Sequence, residues 1–311
     1  MNEQRSLFLA IVLSLLILVG FEYFFNPSPP VRDTTVSQEA GDRDMAPEAP
    51  VLESGDGDIT PVPSSMQPTT SPAEKSKHFS VTREKALSES GRVRIETPQL
   101  VGSLALTGAR IDDLILIKYR EALSQESPSI TLLSPPGGPN TYFARHGWTA
   151  GPKGGVAVPD GETVWRSSGG KVLSPDSPVT LSWDNGQGLV FSKTFEVDDN
   201  FMFTVIQKVE NRSQKEVSLY PYGLISRAGT PSTLGFYILH EGPLGVFDGT
   251  LKEVDYDELQ EDHRISQTTT GGWLGITDKY WLVALAPGRG NLVDTNFKYT
   301  NVNGQDRYQT D

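Results

Sequence analysis

A single apolar run, Leu7 to Phe25, sets the plan of this chain, because no later segment of its 311 residues repeats that length. As a helix, its nineteen residues cover roughly 28 Å, close to the ~30 Å of bilayer hydrocarbon. Fourteen of them are Leu, Ile, Val or Phe. Insertion is therefore favoured in spite of Glu22, which lies near the far end beside Tyr23, Phe24 and Phe25. Pro27 stops the helix. A cleaved secretory signal is the competing reading, but the run exceeds the usual ~7–15 apolar residues and no small-residue cleavage pair precedes Pro27. Residues 1–25 are expected to form a retained transmembrane signal anchor. Arg5 stands before the run and acids dominate after it, which places the N-terminus in the cytoplasm and the remainder outside.

The next stretch has nothing with which to build a core. Asn26 to His78 holds nine prolines and no Phe, Trp or Tyr. Its nine acids face four bases, so it contributes −5 to a formal net charge of −12. Proline stiffness and self-repulsion predict a disordered, extended linker over residues 26–88. The same acidity excludes nucleic acid as a natural partner, since phosphates demand a basic face. There are no cysteines, so an exported domain must hold together by burial and backbone pairing alone.

Past about Gly91 the pattern changes to short apolar alternations divided by turn signals, which predicts a mainly β fold over residues 89–311. Val179, Leu181 and Trp183 alternate with polar residues, and Asn185-Gly186 then offers a hairpin turn. Leu189–Glu196, Phe201–Val209 and Val217–Ile225 read as a meander of antiparallel neighbours. In the second of these, Phe201, Phe203, Val205 and Val209 share one face while Met202 and Ile206 share the other, which implies burial on both sides. Pro221 marks a bulge or an edge. Asp160-Gly161, Asp248-Gly249 and Asn303-Gly304 repeat the turn chemistry. Lys252 to Glu261 is rich in acids and is expected to be an exposed loop. With no second linker to divide it, the region reads as one large antiparallel sandwich.

Catalytic signals are sparse. The histidines His78, His146, His240 and His263 lack the spacing of metal ligands, so no metal, cofactor or catalytic residue is assigned. His240 and Glu241 are adjacent and would point to opposite faces of a strand. Pro135–Gly138 and Gly151–Gly155 lack the Lys-Ser/Thr and helix of a phosphate loop. The densest pattern is GGWLGITDKYWLVALAP, from Gly271 to Pro287. Within it Gly271 and Gly272 free the backbone, Trp273 and Trp281 supply large rigid surfaces, and Asp278 and Lys279 place opposite charges between them; Gly272, Trp273, Gly275, Asp278, Lys279, Tyr280 and Trp281 make up the signature. Trp273 and Trp281 are expected in the core; a solvent-facing stacking platform is the alternative.

That segment resembles the signature near the end of the periplasmic domain of bacterial YidC-type membrane protein insertases, of the YidC/Oxa/Alb family. MNEQRSLFLAIVLSLLILVGFEYFF resembles their first transmembrane helix, IETPQLVGSLALTGARIDDLILIKY their first periplasmic strands, and NGQGLVFSKTFEVDDNFMFTVIQKVEN their central hairpins. The resemblance implies a galactose-mutarotase-like supersandwich and the N-terminal part of an insertase and chaperone of the bacterial inner membrane, without enzymatic activity. Its implied partners are the lipid bilayer, nascent membrane proteins and components of the Sec translocon. The five-helix insertase core of the family has no counterpart here. Asp311 falls seven residues after Gly304, so about the first half of a full-length insertase is expected. The alternatives are a membrane-anchored carbohydrate-binding or mutarotase-like domain, and a scaffold for translocon partners.

Overall fold

A computed structural model describes residues 81–311 apart from 152–154, 232–238, 289 and 303. The apolar run Leu7–Phe25, His78 and the Pro-rich stretch from Asn26 to residue 80 lie outside the described residues. Among the described residues, no helix is long and apolar enough to cross a membrane.

Folded structure begins earlier than residue 89. A short helix, α1 (Arg83–Ser88), starts where the Thr82 hydroxyl accepts the Lys85 N–H, the usual device for satisfying a helix's first free donors. Arg83 pairs with Asp113, and Ala86 is buried. This turn falls inside the stretch expected to be linker, because the composition of the linker hides one buried alanine and one paired arginine at its end.

The strands follow in the order β1 (Arg92–Glu96), β2 (Leu100–Ala105), β3 (Arg110–Arg120), β4 (Ser129–Leu133), β5 (Tyr142–Ala150), β6 (Arg166–Ser174), β7 (Ser177–Asp184), β8 (Leu189–Val197) and β9 (Phe203–Asn211). Then come β10 (Leu219–Ala228), β11 (Gly242–Phe247), β12 (Thr250–Glu253), helix α2 (Tyr256–Asp262), β13 (Arg264–Thr269), β14 (Gly272–Thr277), β15 (Leu282–Leu285), β16 (Val293–Val302) and β17 (Gln305–Thr310). Thirteen strands form one large sheet, ordered β13-β16-β17-β10-β5-β3-β2-β1-β6-β7-β8-β9 with β4 beside β3. The other four form a small sheet, β12-β11-β14-β15. The described pairings are antiparallel except that β1 runs parallel to β6, through Arg94↔Val172 and Ile95↔Leu173. The mainly β sandwich is therefore as expected.

Alternation explains the core. In β8, Leu189, Phe191, Phe195 and Val197 turn inward, and Val179 and Leu181 of β7 meet them. Trp148 of β5 stacks on Trp165 at 6.4 Å and meets Phe191 edge-on at 5.1 Å. These rings bury large apolar areas in a cluster that fixes the strand register. Asp248 and Gly249, both at positive φ (47° and 86°), close the β11–β12 hairpin in the way Asp-Gly pairs favour.

Three expectations need correction. The meander stops at β9, which ends the large sheet, while β10 lies between β5 and β17. Within β9, Phe203, Val205 and Val209 are half-buried on one face while Ile206 on the other is exposed, and Phe201 and Met202, just before the strand, are exposed as well. Lys252 to Glu261 is not a loop; its later part is α2, where Tyr256 and Leu259 are buried on one face of the helix. Pro221, by contrast, does sit at a local edge. It pairs with Trp148 of β5, whereas β10 meets β17 only from Ile225 onward, so the missing N–H leaves no gap in a ladder.

Candidate functional site

The signature segment spans β14, a tight turn and β15. Gly272 has φ +107°, and a Cβ placed there would lie 1.8 Å from the Val246 carbonyl oxygen of β11. At Gly275 it would lie 2.2 Å from the Val283 oxygen of β15. Both glycines are present because neighbouring backbones come too close for any side chain. Residues 278–281 form the turn: the Asp278 and Trp281 N–H groups each donate to the other's carbonyl, at 2.8 and 3.4 Å.

Asp278 has a further task. Its carboxylate accepts from Arg227 of β10 at 2.5 Å, and the Arg227 guanidinium stands over the Tyr142 ring at 5.0 Å. Tyr142 in turn donates to the Ile276 carbonyl at 2.8 Å. Burial holds the Tyr142 phenol well above its ordinary range, with Arg227 opposing, so it remains a hydrogen-bond donor. This group joins the small sheet to the large one.

The aromatic residues of the segment point elsewhere. Trp273 and Trp281 are half-buried, not core residues; the core tryptophans are Trp148 and Trp165. Trp281 meets Tyr119 of β3 edge-on, with centroids 4.8 Å apart. Tyr280 is 70% exposed, and the Lys279 ammonium lies 5.2 Å from its ring centre. All four aromatics line a groove of about 2150 Å³. That volume exceeds the ~300–1,000 Å³ of small-molecule pockets, so the groove suits a polymer or a partner surface. Leu282, Leu285, Phe201, Met202, Tyr222 and His146 add to its walls and floor. At one end Lys298 and Asp311 neutralise each other at 2.7 Å.

His146 is the groove's ionisable ring. Burial, helped by the positive charge of Lys193, draws its pKa down to about 4, so at neutral pH it is an uncharged ring with no proton to donate as an acid. A mutarotase needs a histidine facing a carboxylate across a pocket. Among the described residues His240 Nδ1 meets Asp255 Oδ1 at 3.4 Å, but the Asp255 side chain is 79% exposed, and His240 Nε2 is tied to the Pro243 carbonyl at 3.0 Å. His263 stacks on Tyr299 at 5.8 Å. Pro135–Gly138 is the β4–β5 connection, whereas residues 152–154 of the second Gly-rich stretch lie outside the described residues. Among the described residues no three His, Asp or Glu side chains are grouped to hold a metal.

Sequence reasoning missed Lys193. It is buried, donates to the His146 carbonyl, and lies 4.5 Å from the Trp165 ring centre and 5.9 Å from that of Trp148. Burial, reinforced by the Arg145 charge, pushes its pKa well below the usual lysine range. The signal was present, since the alternation of LVFSKTFEV puts residue 193 on the same face as Phe191 and Phe195.

Fold and groove define a class of protein: a large β-sandwich domain with a groove lined by residues of both its sheets. The family model of the YidC periplasmic domain matches residues 92–311, and the chain belongs to that family. It is 41% identical over 313 aligned residues to the membrane protein insertase YidC of Beijerinckia indica, covering 100% of this chain and 50% of that protein. With the insertase of Methylorubrum extorquens it shares 43% identity over 301 residues, 92% of this chain and 47% of the relative. The corresponding figures for Bradyrhizobium diazoefficiens are 38% over 311 residues, 100% and 50%. The chain thus spans about half the length of the curated relatives it matches.

Proposed function

We propose that this chain is the membrane-tethered, periplasmic part of an insertase that assists the insertion and folding of inner-membrane proteins, alone or beside the Sec translocon. Residues 1–25 anchor it, the following Pro- and acid-rich stretch spaces it from the bilayer, and the sandwich from α1 onward receives extended apolar segments of its clients in the groove. Its role is to hold, not to catalyse. The observation that carries this reading is alignment over the whole chain with membrane protein insertases. The groove agrees with it: large rigid aromatics such as Trp273 and Trp281 bury apolar area at small entropic loss. The neutral His146 weighs against the mutarotase-like alternative.

Photo-crosslinking tests the proposal. A photoreactive side chain in place of Leu282, on the groove wall, is expected to capture a membrane-protein client during its synthesis. The same probe at Ser167, exposed on β6, should not. Adducts with translocon subunits alone, and none with clients, would replace this reading with that of a scaffold.

A further inference from the structure

Two four-residue segments far apart in sequence make one surface. Ile117-Lys118-Tyr119-Arg120 ends β3, and Lys279-Tyr280-Trp281-Leu282 runs from the β14–β15 turn into the first residue of β15. The 4.8 Å contact of Tyr119 with Trp281 brings them together. Between them they hold five large apolar or aromatic residues, three basic residues and no acid, in a chain whose formal net charge is −12. Tyr280 is 70% exposed, Tyr119 and Leu282 are each 43% exposed, and Ile117 is 37% exposed. The acids nearest in sequence are Asp278, which pairs with Arg227, Asp112 and Asp113, which pair with Arg92 and Arg83, and Glu121 and Glu126 in the loop after β3. Arg120 donates to the Ser127 carbonyl of that loop.

We propose that this patch, the rim of the groove, docks on anionic phospholipid headgroups at the outer face of the membrane that anchors the chain. The inference rests on the anchor assigned to Leu7–Phe25, which holds the domain beside a bilayer. Tyrosine and tryptophan favour the headgroup layer because one end of the ring system is apolar and the other polar. Lysine and arginine extend past them toward phosphate, with apolar stems lying on the same surface. Each basic residue near an anionic surface strengthens binding roughly fivefold. Three give on the order of a hundredfold, too little to hold a free domain in dilute solution. For a domain already tethered at roughly millimolar effective concentration, the same gain is enough to fix its orientation. Docked in this way, the groove opens at the lipid surface, where an apolar segment leaving it meets hydrocarbon and not bulk water.

The chain contains no cysteine, so a single Tyr280→Cys can be labelled uniquely in the full chain. An environment-sensitive fluorophore there should be quenched by spin-labelled lipid in vesicles containing phosphatidylglycerol, far more than in phosphatidylcholine alone. A label at Ser167→Cys should be indifferent to both. Lys118→Glu with Lys279→Glu is expected to weaken the anionic-vesicle signal by more than about twentyfold, and high salt should weaken it too. Flotation of the protein with vesicles reads the anchor separately. If flotation fails, raising the vesicle concentration still reads the patch. Equal quenching at both labelled positions, or none at Tyr280 in anionic vesicles, would overturn the proposal. So would quenching that appears only when translocon protein is added, which would assign the patch to a protein partner.

Discussion

Arg227 of β10 and Asp278 of the β14–β15 turn meet at 2.5 Å and form a charged link between the two sheets. The side chains are only 12% and 29% exposed. Asp278 therefore belongs to the signature for a mechanical reason: it fixes the turn that carries Tyr280 and Trp281 to the groove rim. Removing one partner leaves the other charge partly buried and unpaired, which is costlier than removing both.

Asp278→Ala is accordingly expected to lower unfolding free energy by about 2–3 kcal/mol, less than for a fully buried pair because solvent reaches Asp278. Arg227→Met combined with Asp278→Ala should lose less than the sum of the two single changes. Urea denaturation of the four proteins gives the coupling directly; additive losses would mean that the link contributes nothing.

Lys193 is an ionisable side chain buried within an aromatic core. Its folded pKa lies below its unfolded value, so protonation favours the unfolded chain. The associated stability is complete only above the ordinary lysine pKa and is lost as pH falls toward the folded value. Lys193→Met is expected to stabilise the domain by about 1–3 kcal/mol at neutral pH, with the advantage shrinking as pH rises. Thermal melts at neutral and alkaline pH check it. If the variant is instead destabilised at every pH, the hydrogen bond to the His146 carbonyl and the contacts with Trp148 and Trp165 outweigh desolvation.

His146 makes a prediction at acid pH. With a folded pKa of about 4 against an ordinary 6.5, its stabilising contribution is complete above pH 6.5 and lost as pH falls through 4. For this half-buried ring the loss is about 2–3 kcal/mol. Asp112, whose carboxyl burial raises, has the opposite sign, so the histidine must be isolated by comparison. His146→Gln should flatten the difference between stability at neutral pH and near pH 4. In Lys193→Met the His146 titration, followed by NMR, should move upward because the neighbouring positive charge is gone. An unmoved titration would show that burial alone sets the value.

Much of this architecture was legible in sequence because strand formation here follows local alternation and turn chemistry. The β7–β8–β9 hairpins and the Asp248-Gly249 turn come from residues close together in the chain, and the edge at Pro221 follows from the missing N–H of proline itself. What was not legible depends on contacts across the fold. Whether Met202 and Ile206 are covered depends on β9 ending a sheet, and the order of strands is set by partners as distant as Ile225 and Thr310. Two acidic segments that read as a loop and a linker are helical because Leu259 and Ala86 find cores that their own neighbours do not supply. The tryptophans of the signature read as core by type, yet Tyr119, distant in sequence, decides where Trp281 lies.

The contrast between Trp165 and Trp281 separates folding from function. Trp165 is 1% exposed, packs on Trp148 and faces Lys193. Its truncation to alanine should lose ~3–5 kcal/mol and lower the melting temperature sharply. Trp281 is half-buried, its ring supported by Tyr119 on the groove wall. Trp281→Ala removes one edge-to-face pair and part of an apolar surface, an expected loss of about 1–2 kcal/mol. The folded domain should survive, while client crosslinking from Leu282 and lipid quenching at Tyr280 both decline. Calorimetry on the two variants, with the crosslinking assay alongside, distinguishes the two roles. Equal losses of stability would return Trp281 to the core, and unchanged crosslinking would remove it from the groove's working surface.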